Sequence, residues 1–294
     1  MDQSLLDSSR YKIYSMSIDS RFADQFNTPG DTSDYTIRMP STYRNIARVA
    51  LSSVELPLVE FLFSEKHGNL TMDICQGEIV STVGICPGNY APCDLISLLN
   101  DSFHDISSGF NVTILKTTGT VCITSPEAFT LHPASENPLI ATRPSYWGLG
   151  YYLGFRNKGP LTSTYDDVLG LHTLCGTAVL LVQPTPYYLL QLWAPEFLEN
   201  VTHRVAGIAS VPAFAKLVLR DGYYTLQFVD NGDYMRKEFT FLAPTNVSHL
   251  RLKLLDPYGE PVDLRGMDWS ATVELYEVVN SRTYANMART YGRE

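Results

Sequence analysis

The sequence contains little charge. Only 18% of its 294 residues are Asp, Glu, Lys or Arg, and 45% are hydrophobic, whereas about a quarter of a soluble domain is usually charged. The formal net charge of −9 argues against a protein that coats nucleic acid by neutralising its phosphates. This composition suggests that much of the surface contacts other proteins. An ordinary β-rich protein with Ser, Thr and Asn along its edges is the alternative.

Long hydrophobic runs are also missing. No window approaches the roughly 20 apolar residues of a membrane-spanning helix, and the nearest, TAVLLVQPTPYYLLQLWAP (177–195), is interrupted by Gln183, Pro184 and Pro186. The first residues, MDQSLLDSSRYK, are acidic and polar, unlike the apolar part of a secretory signal. The five cysteines show no CxxC pair, so we expect reduced, buried thiols in a cytosolic assembly.

The motifs of common enzymes are absent, including G-x-S-x-G, Walker A, HExxH and a GxGxxG after a strand. The six histidines are scattered singly, without the spacing of a zinc ligand set. The densest group of carboxylates, in LDPYGEPVDLRGMDWS (255–270), is typical of a tight turn; a calcium loop and a glycosidase pair are the alternatives. We therefore predict no catalytic residue, no cofactor and no metal site.

Short alternating or wholly apolar runs, separated by Gly, Pro, Asn and Asp, recur along the chain and predict about fifteen β-strands. Only APCDLISLLNDSF (91–103) has helical spacing, which predicts one short helix near 92–104. A parallel α/β fold needs a helix after nearly every strand. The sequence therefore predicts an all-β fold with antiparallel sheets.

The number of strands matches two tandem jelly-roll β-sandwiches, a double jelly roll. We place the first at residues 10–165 and the second at 170–280, with a C-terminal arm at 281–294. The boundary falls in the polar, Gly-, Pro- and Thr-rich stretch 155–178. A single large sandwich with long loops is the alternative.

The segment DYTIRMPSTYRNIARVALSSVELP, residues 34–57, predicts two strands around a proline turn. In the second strand Val49 and Leu51 are odd-numbered, whereas Val54 and Leu56 are even-numbered. Since successive strand residues point to opposite faces, the strand either changes its buried face or is covered on both sides. We predict a bend from one sheet toward another at the serine pair, with a bulge there.

One pattern occurs twice. DYTIRMPS (34–41) and EFTFLAPT (238–245) share an acid, an aromatic residue, Thr, an apolar residue, two further residues, Pro and a hydroxyl residue. Each is followed by an apolar alternating run. We interpret the two as independent strand–turn–strand solutions rather than as evidence of domain duplication.

Aromatic residues are abundant, with 18 Tyr, 13 Phe and 3 Trp. Those in RPSYWGLGYYLGF (143–155) fit three roles: stacking on sugars, anchoring a protein interface, or packing at a corner of the sandwich. The last residues, NSRTYANMARTYGRE (280–294), either fray or order on a neighbouring subunit. The interface candidates are Tyr146, Trp147, Tyr151, Tyr152, Arg282, Tyr284, Arg289 and Tyr291.

Four segments, in this order, resemble the jelly-roll minor capsid proteins of nucleocytoplasmic large DNA viruses, such as those of chloroviruses. They are SIDSRFADQFNTPGDTSDYTIRMPSTYRNIARVALSSVELP (17–57), CPGNYAPCDLISLLN (86–100), YYLGF (151–155) and HLRLKLLDPYGEPVDLRGMDWSATVELYEV (249–278). The resemblance covers nearly the whole chain except about 155–212.

The resemblance implies a non-enzymatic virion protein that is assembled in the host cytoplasm and cements or supports the capsomers of an icosahedral shell. Its partners would be the major capsid protein, other minor capsid proteins and, indirectly, the inner viral membrane, with no nucleic acid. One alternative is a vertex (penton) or surface protein of the same virus class. A penton would make fivefold contacts and usually combines one jelly roll with an insertion. The other alternative is a carbohydrate-binding jelly-roll module that stacks sugars on Tyr146 or Trp147.

Overall fold

The computed structural model describes residues 11–133, 148–157, 159–194, 197–198, 201–203, 210–230 and 237–279. The sheets within these ranges pair their strands antiparallel throughout, so the predicted all-β antiparallel class is confirmed. No helix in the described ranges is long and apolar enough to cross a membrane. The C-terminal arm predicted at 281–294 lies outside these residues.

The chain forms two compact units, and the sequence of one interrupts the sequence of the other. The terminal unit comprises residues 1–60 and 185–294, and the inserted unit comprises residues 61–184. The predicted tandem boundaries, 10–165 and 170–280, would instead divide the chain once. The difference arises because β-strands from the two ends of the chain pair with each other. The stretch 155–178 that suggested a boundary contributes strands to the inserted unit.

The terminal unit contains the longest strands. Its elements are β1 (Tyr11–Asp19), a 3₁₀ turn (Ser20–Phe22), β2 (Gln25–Phe26), β3 (Asp34–Pro57), β12 (Tyr187–Trp193), β13 (Phe197–Leu198), β14 (Val201–His203), β15 (Val211–Ala213), β16 (Ala215–Val218), β17 (Leu226–Asp230), β18 (Glu238–Leu255) and β19 (Ser270–Val278). A nine-stranded sheet has the order β1-β19-β3-β18-β12-β13; β16 also pairs with β12, and β2 and β17 with β3. β3 and β18 therefore organise the unit.

β3 is one strand of 24 residues, so the two strands predicted around a proline turn are corrected to one. Its pairing with β19 shifts by one residue, because Thr272 lies opposite Ser53 whereas Val273 lies opposite Leu51. Ser52 is the extra residue of this bulge. A one-residue insertion reverses the alternation, so Leu51 and Val54 both reach the same core, where they are 1% and 0% exposed. The bulge predicted at the serine pair is thus confirmed, and it restores one buried face. The predicted bend from one sheet toward another is wrong, because all the partners of β3 belong to the same nine-stranded sheet.

The start of β3 is fixed by a buried carboxylate. Arg251 of β18 donates from Nε to Asp34 Oδ1 at 2.7 Å and from Nη2 to Oδ2 at 2.6 Å, and Lys253 Nζ lies 3.6 Å from Oδ2. Burial alone would raise the pKa of Asp34, but Arg251, Asn27 and Lys253 together outweigh it and lower the pKa. The pair joins the first residue of β3 to the neighbouring strand.

The inserted unit is a sandwich of two four-stranded sheets. Its elements are β4 (Thr71–Gln76), β5 (Ile79–Gly84), α1 (Pro92–His104), β6 (Asn111–Ile114), β7 (Thr120–Ser125), β8 (Thr130–His132), α2 (Leu149–Tyr152), β9 (Leu161–Thr162), β10 (Thr164–Asp166) and β11 (Leu171–Val179). The sheet orders are β5-β4-β8-β9 and β10-β11-β7-β6. Both sheets contribute to one core, for example Met72 and Ile74 from the first and Val121 and Ile123 from the second.

The predicted helix is confirmed as α1. Pro92 occupies its first turn, where a missing N–H is tolerated, and Leu95, Leu99 and Phe103 bury one face. Asn100 connects the helix to β6, because its Nδ2 donates to the carbonyl oxygens of Ile96 and Val112 and its Oδ1 accepts from the Val112 N–H at 2.7 Å. The helix is thereby fixed to the sandwich.

The expectation of reduced, buried cysteines is wrong for most of the five. Cys122 of β7 and Cys175 of β11 lie directly opposite each other, with Cα atoms 4.1 Å apart, and form a disulfide. Cys86 and Cys93 are free but exposed, and Cys75 is half-buried. The disulfide arises because two strands from distant parts of the sequence are neighbours in one sheet.

Candidate interaction surfaces

Two of the eight predicted interface residues are in the described part of the structure, on α2 of the inserted unit. Tyr152 is 5% exposed and packs in the core with its ring centroid 5.3 Å from that of Phe63, as in the core-packing interpretation. Tyr151 is half-buried; the Arg156 guanidinium lies 4.1 Å from its ring centroid and donates to its hydroxyl at 3.1 Å. Six candidates lie outside the described residues, and their role stays a prediction: Tyr146, Trp147, Arg282, Tyr284, Arg289 and Tyr291.

The YYLGF motif has a structural role in the inserted unit. Gly154 has φ +95°, and a Cβ there would collide with the Ala178 carbonyl. Its own carbonyl accepts from the N–H groups of Thr177 and Ala178, each at 3.1 Å. Only glycine fits this close approach of two backbones, so the motif specifies packing.

The carboxylate group at 256–268 begins with a turn, as predicted. Asp256 is buried, and its Oδ1 accepts from the N–H groups of Tyr258 at 2.8 Å and Glu260 at 2.9 Å. The Gly259 N–H donates to the Asp256 carbonyl at 3.1 Å. These bonds hold a tight loop before β19.

The terminal unit has a cleft of about 350 Å³, which we call the acidic cleft. It lies where the end of β1 and the 3₁₀ turn meet β3, β17 and the start of β19. Register places Asp19, Ser270, Glu55 and Phe228 side by side across four neighbouring strands. The lining residues are Asp19, Arg21, Glu55, Leu226, Gly266, Met267, Asp268, Trp269 and Ser270.

Three carboxylates and one guanidinium line the acidic cleft. Asp19 accepts hydrogen bonds from the backbone N–H and the Nε of Arg21 at 2.9 and 3.0 Å, and this contact lowers the pKa of Asp19 and raises that of Arg21. Asp268 accepts from Ser20 Oγ at 2.7 Å. Glu55 accepts from Ser53 at 2.9 Å and from Ser270 at 2.7 Å. In the described ranges, Glu55 and Asp268 therefore have hydroxyl donors but no cation within ion-pair distance.

Trp269 of the acidic cleft lining is held in place by its contacts. Trp269 is 2% exposed, and its indole N–H donates to the Thr32 carbonyl at 2.8 Å. Its ring centroid lies 5.5 Å from that of Tyr35. The Tyr35 hydroxyl is buried and has no hydrogen-bond partner among the described residues; burial, followed by the charges of Asp19 and Asp268, raises its pKa.

Exposed apolar side chains lie around the acidic cleft. Leu226 and Met267 of its lining are 48% and 51% exposed, and Phe228, which lies opposite Glu55, is 65% exposed. This site was not predicted from the sequence, because its residues come from separate strands. The available signal was that SIDSR and GMDWS, both within the resembling segments, contribute Asp19, Arg21 and Asp268.

A second exposed apolar group lies at one end of the inserted unit. Ile79 and Val80 follow the turn after β4, and Val168 and Leu169 form the turn between β10 and β11; their exposed fractions range from 57% to 94%. The two turns lie at the same end, since Gln76 donates to Ser125 Oγ at 3.3 Å and β11 begins beside Ser125. Asp166 Oδ1 holds the second turn by accepting from the N–H groups of Val168 and Leu169.

No protein-family model and no curated protein sequence matches the chain. Solved structures do. The crystal structure of the mavirus penton protein aligns over 92% of this chain and 100% of its own, with a TM-score of 0.50 and 12% identity. The chain shares its fold with a viral penton protein. The 3.5 Å cryo-EM structure of the Sputnik virophage aligns over 94% and 99%, at a TM-score of 0.41 and 10% identity. At these identities the first likeness concerns the fold, and the second carries no further weight.

Proposed function

We propose that the chain is a structural virion protein of the penton type, which forms the vertices of an icosahedral DNA-virus shell. The observation that carries this proposal is the likeness of fold over 92% of this chain and the whole of a penton protein. The architecture supports it, since one unit holds both ends of the chain and a second is inserted at 61–184. A unit inserted within another is unlike the tandem arrangement expected of a minor capsid protein.

The surface chemistry also supports assembly with other capsid proteins. Large side chains such as Phe228, Val168 and Leu242 are exposed by 65%, 94% and 99%, and charge is scarce across the chain. Exposed apolar groups of this kind are typical of surfaces that become buried against partners. The partners would be the neighbouring major and minor capsid proteins.

The minor capsid protein remains the second candidate, favoured by the resemblance of residues 17–57 and 249–278. Both candidates place the protein in the shell without catalysis, but they differ in copy number and position. A penton has five copies around each vertex, whereas a minor capsid protein lies between or beneath capsomers away from the vertex.

Quantitative mass spectrometry of purified virions, with electron microscopy of antibody-labelled particles, tests the proposal. We expect label at the vertices and five copies per vertex. The recombinant protein should form particles of about 165 kDa, five times the 32.9 kDa chain, in native mass spectrometry. Label between vertices would support the minor capsid candidate instead. A protein found in infected cells but never in virions would overturn both.

A further inference from the structure

We infer that residues 280–294 of one copy, the C-terminal segment, bind in the acidic cleft of a second copy of this chain. The inference does not rest on the penton assignment, since any oligomer of this chain can use the contact. It requires three things of the molecule: complementary charge, a suitable lining, and a segment that leaves the unit far from its own cleft.

Charge is the first of these. The C-terminal segment carries Arg282, Arg289, Arg293 and Glu294, a formal charge of +2, whereas the chain as a whole has −9; residues 1–279 therefore carry −11. The lining of the acidic cleft has three carboxylates and one guanidinium, a formal charge of −2. A basic segment and an acidic cleft within one strongly acidic chain attract each other.

The lining of the acidic cleft matches the side chains of the segment. Glu55 and Asp268 are hydrogen-bonded by serine hydroxyls, which leaves carboxylate lone pairs for a guanidinium, a group that binds carboxylates through paired N–H donors. Tyr35 packs behind the lining, with its ring against Trp269, and its buried hydroxyl has no partner in the described ranges. Leu226 and Met267 offer apolar surface on which a tyrosine of the segment can pack.

The direction of β19 favours a second copy over the same copy. β19 begins at the acidic cleft with Ser270 and ends at Val278, about 26 Å away at 3.3 Å per residue. Arg282 is four residues further and reaches at most about 14 Å from Val278, so it cannot return to its own cleft. Arg289 and Arg293, 11 and 15 residues beyond Val278, could span at most about 40 and 54 Å. A contact that uses Arg282 as well as the later arginines therefore needs a second copy. The segment leaves from the opposite end of the strand. A contact that joins opposite ends of one unit on two copies is heterologous and can close a ring.

The first experiment uses a fluorescein-labelled peptide of residues 280–294 and full-length chain in which Arg282, Arg289 and Arg293 are changed to Gln, so that no intact segment competes. Fluorescence anisotropy should show binding that weakens as NaCl rises from 50 to 300 mM. Glu55→Gln in the same chain should weaken it at least tenfold. Glu127→Gln, the same charge change on an exposed residue of the inserted unit, is the matched control. Equal binding to the Glu55→Gln and Glu127→Gln proteins overturns the inference.

The second experiment distinguishes the two copies. The segment variant retains an intact cleft, and the Glu55→Gln variant retains an intact segment. Each alone should lose self-association in analytical ultracentrifugation, and an equimolar mixture should regain a complex. A mixture that stays as unassociated as its components overturns the second-copy contact and identifies binding within one chain. Because both measurements are made in solution, their failure would leave the location of the protein in virions unaffected.

Discussion

Deletion of one residue at the bulge of β3 should be tolerated, although deletions inside a central strand usually are not. Ser52 is the extra residue of the bulge, between Leu51 and Ser53, which face Val273 and Thr272 of β19. Removing it makes the ladder regular and leaves every buried residue on the core face, because Leu51 and Val54 are then two positions apart. Deletion of either serine gives the same sequence, so the change is defined without ambiguity.

The size of the effect follows from the contacts. The Ser52 hydroxyl donates a hydrogen bond to the Glu274 carboxylate at 3.3 Å. Loss of one such hydrogen bond lowers the free energy of unfolding by about 0.5–1.5 kcal/mol. The matched control is deletion of Ala50, which lies in a paired part of the strand, opposite Glu274 and Glu238. That deletion slides the preceding residues by one position and turns Val49, which is 0% exposed, toward the outer face. Exposing Val49 alone costs about 1.5–3 kcal/mol, before any hydrogen bonds of the ladder are lost.

Urea unfolding followed by circular dichroism measures both variants against the parent chain. We expect the serine deletion to lower the free energy of unfolding by less than about 1.5 kcal/mol and the Ala50 deletion by at least twice as much. If the serine deletion destabilised the protein as much as the Ala50 deletion, the bulge would not be the device that restores the buried face.

Three further predictions concern contacts that stabilise the two units: an ion pair, a disulfide and the hydrogen bonds of an asparagine. Asp34→Asn should lower the free energy of unfolding by about 2 kcal/mol at neutral pH, since Arg251 loses a charged partner. Because the pKa of Asp34 is lowered in the folded state, the stabilisation by its carboxylate is present above about pH 4 and is lost as the pH falls through the lowered pKa. Urea unfolding at pH 3 should therefore show a smaller difference between the variant and the parent chain. Cys175→Ser should lower the free energy of unfolding by at most about 4 kcal/mol, because the disulfide closes a loop with a sequence separation of 53 residues. Peptide mapping of the parent chain without reductant should recover the Cys122–Cys175 pair. Equal stability of parent and variant under oxidising conditions would contradict this prediction. Asn100→Ala should lower the free energy of unfolding by about 2 kcal/mol, as measured by thermal unfolding. The control Asp101→Ala, at an exposed position of the same helix, should lower it by less.

Local patterns in the sequence were sufficient for the class of fold. Alternating apolar residues predicted the strands, and the irregularity at the serine pair predicted a bulge. The spacing of Leu95, Leu98, Leu99 and Phe103 predicted α1. Each of these signals depends on residues a few positions apart, which the local backbone geometry relates directly.

The arrangement of the units was beyond those patterns. Asp34 and Lys253 are neighbours in the sheet, but neither segment contains a signal that identifies its partner strand. The insertion of one unit into the sequence of the other and the Cys122–Cys175 disulfide were therefore not predicted. The acidic cleft was missed for the same reason, since Asp19, Glu55 and Ser270 meet only after three strands are aligned. Pairing of distant strands is decided by packing of the whole core, which local propensity does not encode.

The pattern shared by DYTIRMPS and EFTFLAPT acquires a physical cause from the pairing of β3 with β18. The two copies begin these two antiparallel strands, and neither proline ends its strand. Pro40 lies between Arg38 and Tyr43, which face His249 and Val247; Pro244 lies between Thr240 and Thr245, which face Arg48 and Ile46. Each proline therefore occupies a stretch in which four residues of one strand lie opposite a single residue of the other. A proline cannot donate to a ladder and is tolerated in a central strand where pairing is interrupted. The repeated pattern thus specifies a bend within each long strand, and both bends occur along the same pair because the two strands must change direction together to stay hydrogen-bonded on either side.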